Sequence, residues 1–491
     1  MDWQSLQTGY HPRMTATKNL RLFLPLSVFL LMGPRLRADP VDDYVAQEMK
    51  KQHIPGLALA VFKEGKIVKA EGYGWADVER KIPVKPNTVF QLQSVTKSFT
   101  ATGIMLLVEE GKIGLDHPIG MYLEGLPDDW GKITVRHLLT HTSGIKDFIN
   151  EPTVDLRRDI TAQEVIHSLA GLPLNFKPGE KYAYSNTGYH LLGMIIRQVT
   201  GQSWGEFLQE RIFAPLGMSE TEILSSSVKL PNRAKGYGWN KDEWTPGDFV
   251  APTILGYAGG GILSTVLDLA KWDSALSTEK ILKKASLEQM WTPAKLNNGT
   301  KSGYGFGWGI GDLRGHRFVN HSGGHITGFR TTFLRLLDDR VTVVVLTNLR
   351  GANPEDIANR VAEHYVSALR LSALPESSSA DPELGRRFKD SLKALGANED
   401  SPWLVPEFRA EFQRNPALAA KLAERLREMK SLVFLACEDI PGRGIERSGV
   451  AVQRVCHCKM VTGTETRYYT FYLASGNKVA FVQSSLSSLP E

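Results

Sequence analysis

Apolar residues gather first in a short block at 22–32 and then in two extended runs, 56–62 and 66–75, split by the turn Lys63, Glu64, Gly65. That spacing predicts a hairpin at the start of a sheet. A stretch over 94–110 is apolar nearly all round, with Phe99, Ile104, Met105, Leu106, Leu107 and Val108, and stops at Gly111. An apolar helix of that kind has no face to offer water, so it is predicted to be buried. Further helical periodicity covers 186–200 and 265–276, the second behind an expected capping box of Thr265 and Asp268. Strand patterns return at 306–310, 317–321, 328–336 and 341–346, the last two joined by a turn at Asp338 and Asp339, and a closing helix is expected over 357–371.

First and last segments therefore read as one antiparallel sheet flanked by helices, with a mainly helical region inserted between them, an α+β arrangement. Residues 372–382, rich in Ser, Ala and Pro, have the composition of a linker. Beyond it, 383–491 is expected to form a small α+β domain, with helices at 383–395 and 406–429 and strands at 432–437, 450–461, 466–474 and 478–483.

Composition changes this picture little, but charge distribution does. The formal net charge is +5 over 491 residues, yet residues 1–38 hold five Lys or Arg against one Asp, so the remainder is close to neutral. A balance that small gives no reason to expect nucleic acid as a partner. Lys18 and Arg21, the apolar block and Ala38 together resemble a secretory signal over 1–38, so export to the periplasm or the medium is expected. The block is about half the ~20 residues of a membrane span, and no span is expected after cleavage. Met14 is better placed than Met1 as a start for that signal. The three cysteines, Cys437, Cys456 and Cys458, allow one disulfide and leave one thiol over. His457 between two of them points to the opposite strand face, which disfavours a metal cluster.

Candidate chemistry rests on three elements. Ser94 and Lys97 lie three residues apart at the entry to the buried helix, so both occupy one face. Burial pushes a lysine toward its neutral form, in which it can take a serine proton, and a helix N-terminus favours negative charge developing there. Tyr184 and Asn186 precede a helix; a phenol or tyrosinate near Lys97 can relay protons, and an Asn amide can hold a carbonyl or the lysine. His321, Ser322, Gly323 and Gly324 end a strand, where the Gly324 amide could join that of Ser94 as an oxyanion hole.

In this order, about 90 and then about 135 residues apart, these elements make the chain resemble the serine beta-lactamase and penicillin-binding protein superfamily, in the branch of class C beta-lactamases, DD-peptidases and related esterases and D-aminopeptidases. The flanking stretches 138–144 (LLTHTSG) and 213–218 (FAPLGM) carry the same likeness, which spans roughly 41–371. The resemblance implies Ser94 as acylated nucleophile, Lys97 as its base partner, Tyr184 as proton relay, and Asn186, His321, Gly323 and Gly324 as substrate-binding positions. It implies a small-molecule or peptide substrate, an ester or amide bond cleaved through an acyl-enzyme, and neither metal nor organic cofactor. His321 stands where the lactamases have lysine, and a histidine is mostly neutral above its usual pKa of about 6.5. That departure points to an esterase or D-stereospecific peptidase ahead of a beta-lactamase or DD-carboxypeptidase; a non-catalytic penicillin-recognising module is the rival from another class.

Other patterns invite different readings. His137 and His141 have the spacing of a metal pair, but residue 138 is Leu where a metalloprotease has Glu. Glycines 259–261 and 303–309 lack a phosphate-loop ending and are expected to serve turns and close packing. Arg330 is expected to face solvent.

Overall fold

A computed structural model describes residues 39–486, apart from 153, 228–229, 377–381, 415, 441–445 and 448–449. The expected signal segment thus lies outside the described residues. The first element is a helix absent from the sequence reading, α1 (Pro40–Gln52), whose Val41, Val45 and Met49 recur every fourth residue and are buried. The expected hairpin follows as β1 (Gly56–Lys63) and β2 (Lys66–Asp77), with a short β3 (Ile82–Pro83) beside it. After the inserted region come β4 (Gly309–Leu313), β5 (His316–His325), β6 (Phe329–Leu336) and β7 (Val341–Thr347). They assemble as one sheet in the order β3, β2, β1, β7, β6, β5, β4. The first and last strands of this sheet in chain order meet at its centre, where β1 pairs antiparallel with β7 from Leu57↔Thr347 to Lys63↔Val341.

The alternation of side chains along those central strands divides two cores. Leu57, Leu59, Val61, Val343 and Val345 pack under α1 and the closing helix α5 (Pro354–Tyr365). Ala58, Ala60, Phe62, Val344 and Leu346 face the inserted helices α2 (Thr96–Glu109), α3 (Asn186–Thr200) and α4 (Val266–Ala275). Every residue of α2 from Thr96 to Leu107 is buried, as its all-round apolar pattern requires. Phe99 within it stacks on Trp272 of α4 at 4.3 Å between ring centres.

Several boundaries differ from the sequence reading. The helix expected from Ser94 begins with a 3-10 turn, Gln93–Val95. The strand expected over 306–310 forms three residues later, because Phe306 and Trp308 are spent on burial in a turn where the Gly305 amide bonds the Trp308 carbonyl. The closing helix starts earlier, at an Asn353 cap followed by Pro354, and ends at Tyr365. Thr265 does cap α4 by accepting from the Asp268 amide, but the Asp268 carboxylate turns to Thr221 and the Glu220 amide, so the reciprocal half of the box is absent.

The small C-terminal sheet domain is present, built from α6 (Pro382–Ala397), α7 (Pro406–Gln413), α8 (Pro416–Arg427) and strands β8 (Ser431–Asp439), β9 (Arg454–Val461), β10 (Thr466–Leu473) and β11 (Val479–Leu486) in sequential order. The single helix expected over 406–429 is two, since Pro416 lacks the amide to continue α7. This unit has its own buried cluster, including Phe388, Phe408, Phe471 and Val479. Leu371, Leu435 and Tyr468 form a smaller cluster that ties it to the end of the preceding unit. Cys437 and Cys456, paired in register, form a disulfide, and Cys458 is a buried free thiol. His457 hydrogen-bonds Thr470 at 3.0 Å.

Candidate active site

Ser94 sits in the 3-10 turn that feeds α2, half-buried, and the turn is held in a costly shape. Gln93 adopts φ +52°, a left-handed conformation that a non-glycine residue enters at a cost of order 1–3 kcal/mol. Its side-chain amide donates to Gln91 at 2.7 Å and to Thr327 at 3.2 Å, which fixes that conformation. One turn on, Lys97 is 0% exposed, and its Nζ has three oxygen neighbours: Ser94 Oγ at 3.1 Å, Asn186 Oδ1 at 2.8 Å and the Gly259 carbonyl at 2.8 Å. Burial lowers the Lys97 pKa to about 7, against an opposing pull from Asp147. A neutral amine donates two hydrogens and accepts one. Asn186 Oδ1 and the Gly259 carbonyl accept only, so the remaining lone pair is left for the Ser94 hydroxyl.

Asn186, the first residue of α3, is oriented by neighbours the sequence reading did not single out. Its Oδ1 also accepts from Tyr257 at 2.6 Å, while its Nδ2 and backbone amide donate to Asp147 at 2.9 and 3.1 Å. A flipped amide would set N–H against the Tyr257 and Lys97 donors and oxygen against a carboxylate. Burial raises the Asp147 pKa while the Asn186 hydrogen bond lowers it. Asp147 lies just past the LLTHTSG stretch, and Tyr257 just before glycines 259–261; proximity to those motifs was the available signal. The glycines do serve close packing, as expected, since a Cβ on Gly259 would lie 2.4 Å from the Tyr257 ring and 3.2 Å from Lys97 Nζ. The Gly259 carbonyl adds a contact that composition did not show.

Tyr184 is 36% exposed as a residue, but its ring lies 4.8 Å from Lys97 Nζ and it lines the same cleft as Ser94. Desolvation raises its pKa well above the ordinary value, so it is a neutral phenol and not the tyrosinate alternative. His141, itself at φ +57°, packs against it with ring centres 4.1 Å apart. His141 Nδ1 accepts from the Ser185 amide at 3.1 Å, and burial holds the imidazole neutral. His137 instead caps its own short helix through Thr134. The apparent metal pair is thus one helix cap and one support for Tyr184.

β4 pairs with β5 only as far as Asn320↔Gly309, so from His321 to His325 the outer edge of β5 is left to the Ser94 turn. Gly323 is required there, because a Cβ would come within 2.3 Å of the Leu92 carbonyl and 2.6 Å of Thr331 Oγ1. His321 is 6% exposed; its Nδ1 lies 2.7 Å from the Ser322 carbonyl, so that nitrogen carries the proton and Nε2 accepts from Tyr304 at 2.8 Å. Burial, with Lys97 nearby, pushes its pKa down to about 3. The position is uncharged. Ser94, Lys97, Tyr184, Asn186, His321 and Gly323 are therefore brought together, and Gly324 lines the same cleft.

Residues 41–367 match the Beta-lactamase family model. Penicillin-binding protein 4* of Bacillus subtilis is 35% identical over 337 residues, 65% of this chain and 73% of that protein. An octameric penicillin-binding protein homologue from Pyrococcus abyssi superposes with a TM-score of 0.59 at 25% identity, over 91% of this chain and 98% of that one. The D-amino acid amidase of Ochrobactrum anthropi SV3 does so at 0.57 and 29% identity, over 67% and 98%. Sheet topology, the Ser94 turn at its edge and a sequence match over two thirds of the length agree, and the chain belongs to the Beta-lactamase family, within the serine beta-lactamase and penicillin-binding protein superfamily.

Proposed function

We propose that the protein is a serine hydrolase that cleaves an amide or ester in two steps through an acyl group on Ser94. The observation that carries this reading is the Lys97 amine, 3.1 Å from Ser94 Oγ, its pKa near 7 and its other two neighbours acceptors only. Neutral Lys97 takes the hydroxyl proton as Ser94 attacks the carbonyl carbon. The Ser94 and Gly324 amides stabilise the tetrahedral oxyanion. Tyr184, a neutral phenol beside both Ser94 and Lys97, gives its proton to the leaving group and is reprotonated by Lys97; the same pair then activates the water that releases the acyl group. Asn186 positions Lys97, and His321, Gly323 and Gly324 line the substrate.

The amide of a D-amino acid or peptide is the favoured bond. Neutral His321 offers no cation for the carboxylate that a lactamase or DD-carboxypeptidase would meet at this position, and the structural relatives include a D-amino acid amidase. Residues 1–38 act as an export signal in this reading, 39–371 as the hydrolase and 383–491 as an accessory domain. The test is Ser94→Ala against p-nitrophenyl butyrate and D-phenylalanine amide: turnover falls by about three orders of magnitude or more with the circular dichroism spectrum unchanged. Undiminished turnover by the variant would defeat the assignment.

A further inference from the structure

The cleft does not end at the reacting groups. It runs on as a groove of about 1390 Å³ whose lining begins at Ser94 and Tyr184, follows the sheet, and reaches the C-terminal domain. Its floor is one face of the sheet's edge: Asn320, Ser322 and Gly324 of β5 and Arg330, Thr332 and Leu334 of β6 line it, with Thr332 and Leu334 buried and Leu334 part of the core under α1 and α5, while Val319 and Phe333 point into the opposite core. The far wall is a row of cross-strand neighbours, His457 on β9, Thr470 on β10 and Gln483 on β11, with Tyr472 beside it. The hairpin joining β4 to β5 abuts that wall, where the Arg314 amide bonds Glu438 at 3.1 Å.

Length and chemistry of this groove select an occupant. From Gly324 to Phe318 the floor runs six residues along β5, about 20 Å at roughly 3.3 Å per residue, the span of about six residues of extended peptide. A small ester or single amino acid amide would occupy only its head. In a lining that also carries charged side chains of α1 and α5, Asp43, Glu48, Asp356 and Arg360 among them, the amide and hydroxyl side chains of floor and wall supply donors and acceptors of the kind that pair with a peptide backbone. Of these, Tyr472 and Gln483 bond each other at 3.1 Å. Arg330, expected to face solvent, is exposed yet lies over Gly324: a Cβ there would meet Arg330 Nη1 at 2.4 Å. Its Nε is tethered to the Arg350 carbonyl at 2.8 Å, and no carboxylate pairs with it among the described residues. The guanidinium is thereby offered to a carbonyl oxygen of a chain leaving the reacting centre.

Resting on the acyl-transfer reading above, we infer that the natural substrate is an extended peptide of about six residues, whose far end is bound by the C-terminal domain at Thr470, Tyr472 and Gln483. Substrate length is the test. Alanine oligomers of two to eight residues, in D and L series, are offered to the full chain, and amide cleavage is followed by mass spectrometry. The value of kcat/KM should rise at least tenfold between two and six residues in one series and then level off. Gln483→Ala should reduce that six-to-two ratio severalfold; Ser484→Trp, at the exposed rim, should reduce it further by filling the groove. Calorimetric binding of the same peptides to Ser94→Ala should show the same length dependence without turnover. A flat ladder in both rate and binding, or a ladder unmoved by both groove variants, overturns the inference. Ser94-dependent ester hydrolysis alongside a flat ladder would sink the peptide substrate alone, whereas length-dependent binding without any Ser94-dependent turnover would sink the hydrolase reading alone.

Discussion

At the scale of single residues the site is governed by which groups are kept neutral. Lys97, Tyr184 and His321 have each lost hydration, and in each the loss favours the uncharged form: amine, phenol, imidazole. The proposed base is competent only when deprotonated, so kcat/KM should rise through about pH 7 and reach a plateau above it. Asp147 is the charge that opposes this, since its carboxylate favours protonated Lys97, and it also orients Asn186. Asp147→Asn should therefore do two separable things. It removes the negative charge, so the rising limb of the pH profile moves to lower pH; it loosens Asn186, so the plateau falls by about tenfold to a hundredfold. A fall in rate with the limb in its original place would mean that Asp147 acts on structure alone.

At the scale of elements, the costly Gln93 conformation is sustained by what surrounds it. α2 is packed on all sides, β6 reaches across with the Thr331 hydroxyl donating to the Leu92 carbonyl at 2.7 Å, and the Gln91, Gln93 and Thr327 side chains close a hydrogen-bonded triangle. The C-terminal sheet relies on a covalent tie, since the Cys437 to Cys456 disulfide joins β8 to β9 across 19 residues of sequence. Closing a loop of that size restricts the unfolded chain by about 3 kcal/mol at 25 °C. Cys437→Ser with Cys456→Ser should lower the urea-unfolding free energy by about that amount, and the wild-type chain should lose as much on reduction. An unchanged unfolding midpoint would show that the tie contributes nothing to stability.

Across the whole molecule, the two sheets meet around the start of β5. Arg314 there pairs with Glu363 of α5 at 2.8 Å, both side chains 9% exposed, while its amide bonds Glu438 of β8. Removing one member of a pair so buried leaves a carboxylate short of a partner, which costs about 3–5 kcal/mol. Glu363 keeps Arg360, so Arg314→Ala should cost about 3 kcal/mol, the low end of that range, read as a lower midpoint in urea. A loss below about 0.5 kcal/mol would mean that the pair contributes no more than a surface contact does.

Residue order alone carried the opening hairpin, the buried character of α2 and the return to strands after residue 300, because period and glycine stops are local properties; Ser94, Lys97, Tyr184 and Asn186 were singled out from their motifs, and the fold brings them together. Local pattern failed where burial competed with it: Phe306 and Trp308 read as strand and became a turn, and 406–429 read as one helix and broke before Pro416. The pairing of β1 with β7, the placement of Asp147 and Tyr257 around one amide 39 and 71 residues away, the burial of Lys97 against Asn186 and Gly259, and the continuation of the cleft to Gln483 depend on segments far apart in the chain. No window of sequence contains those neighbours, so only the folded chain could decide them.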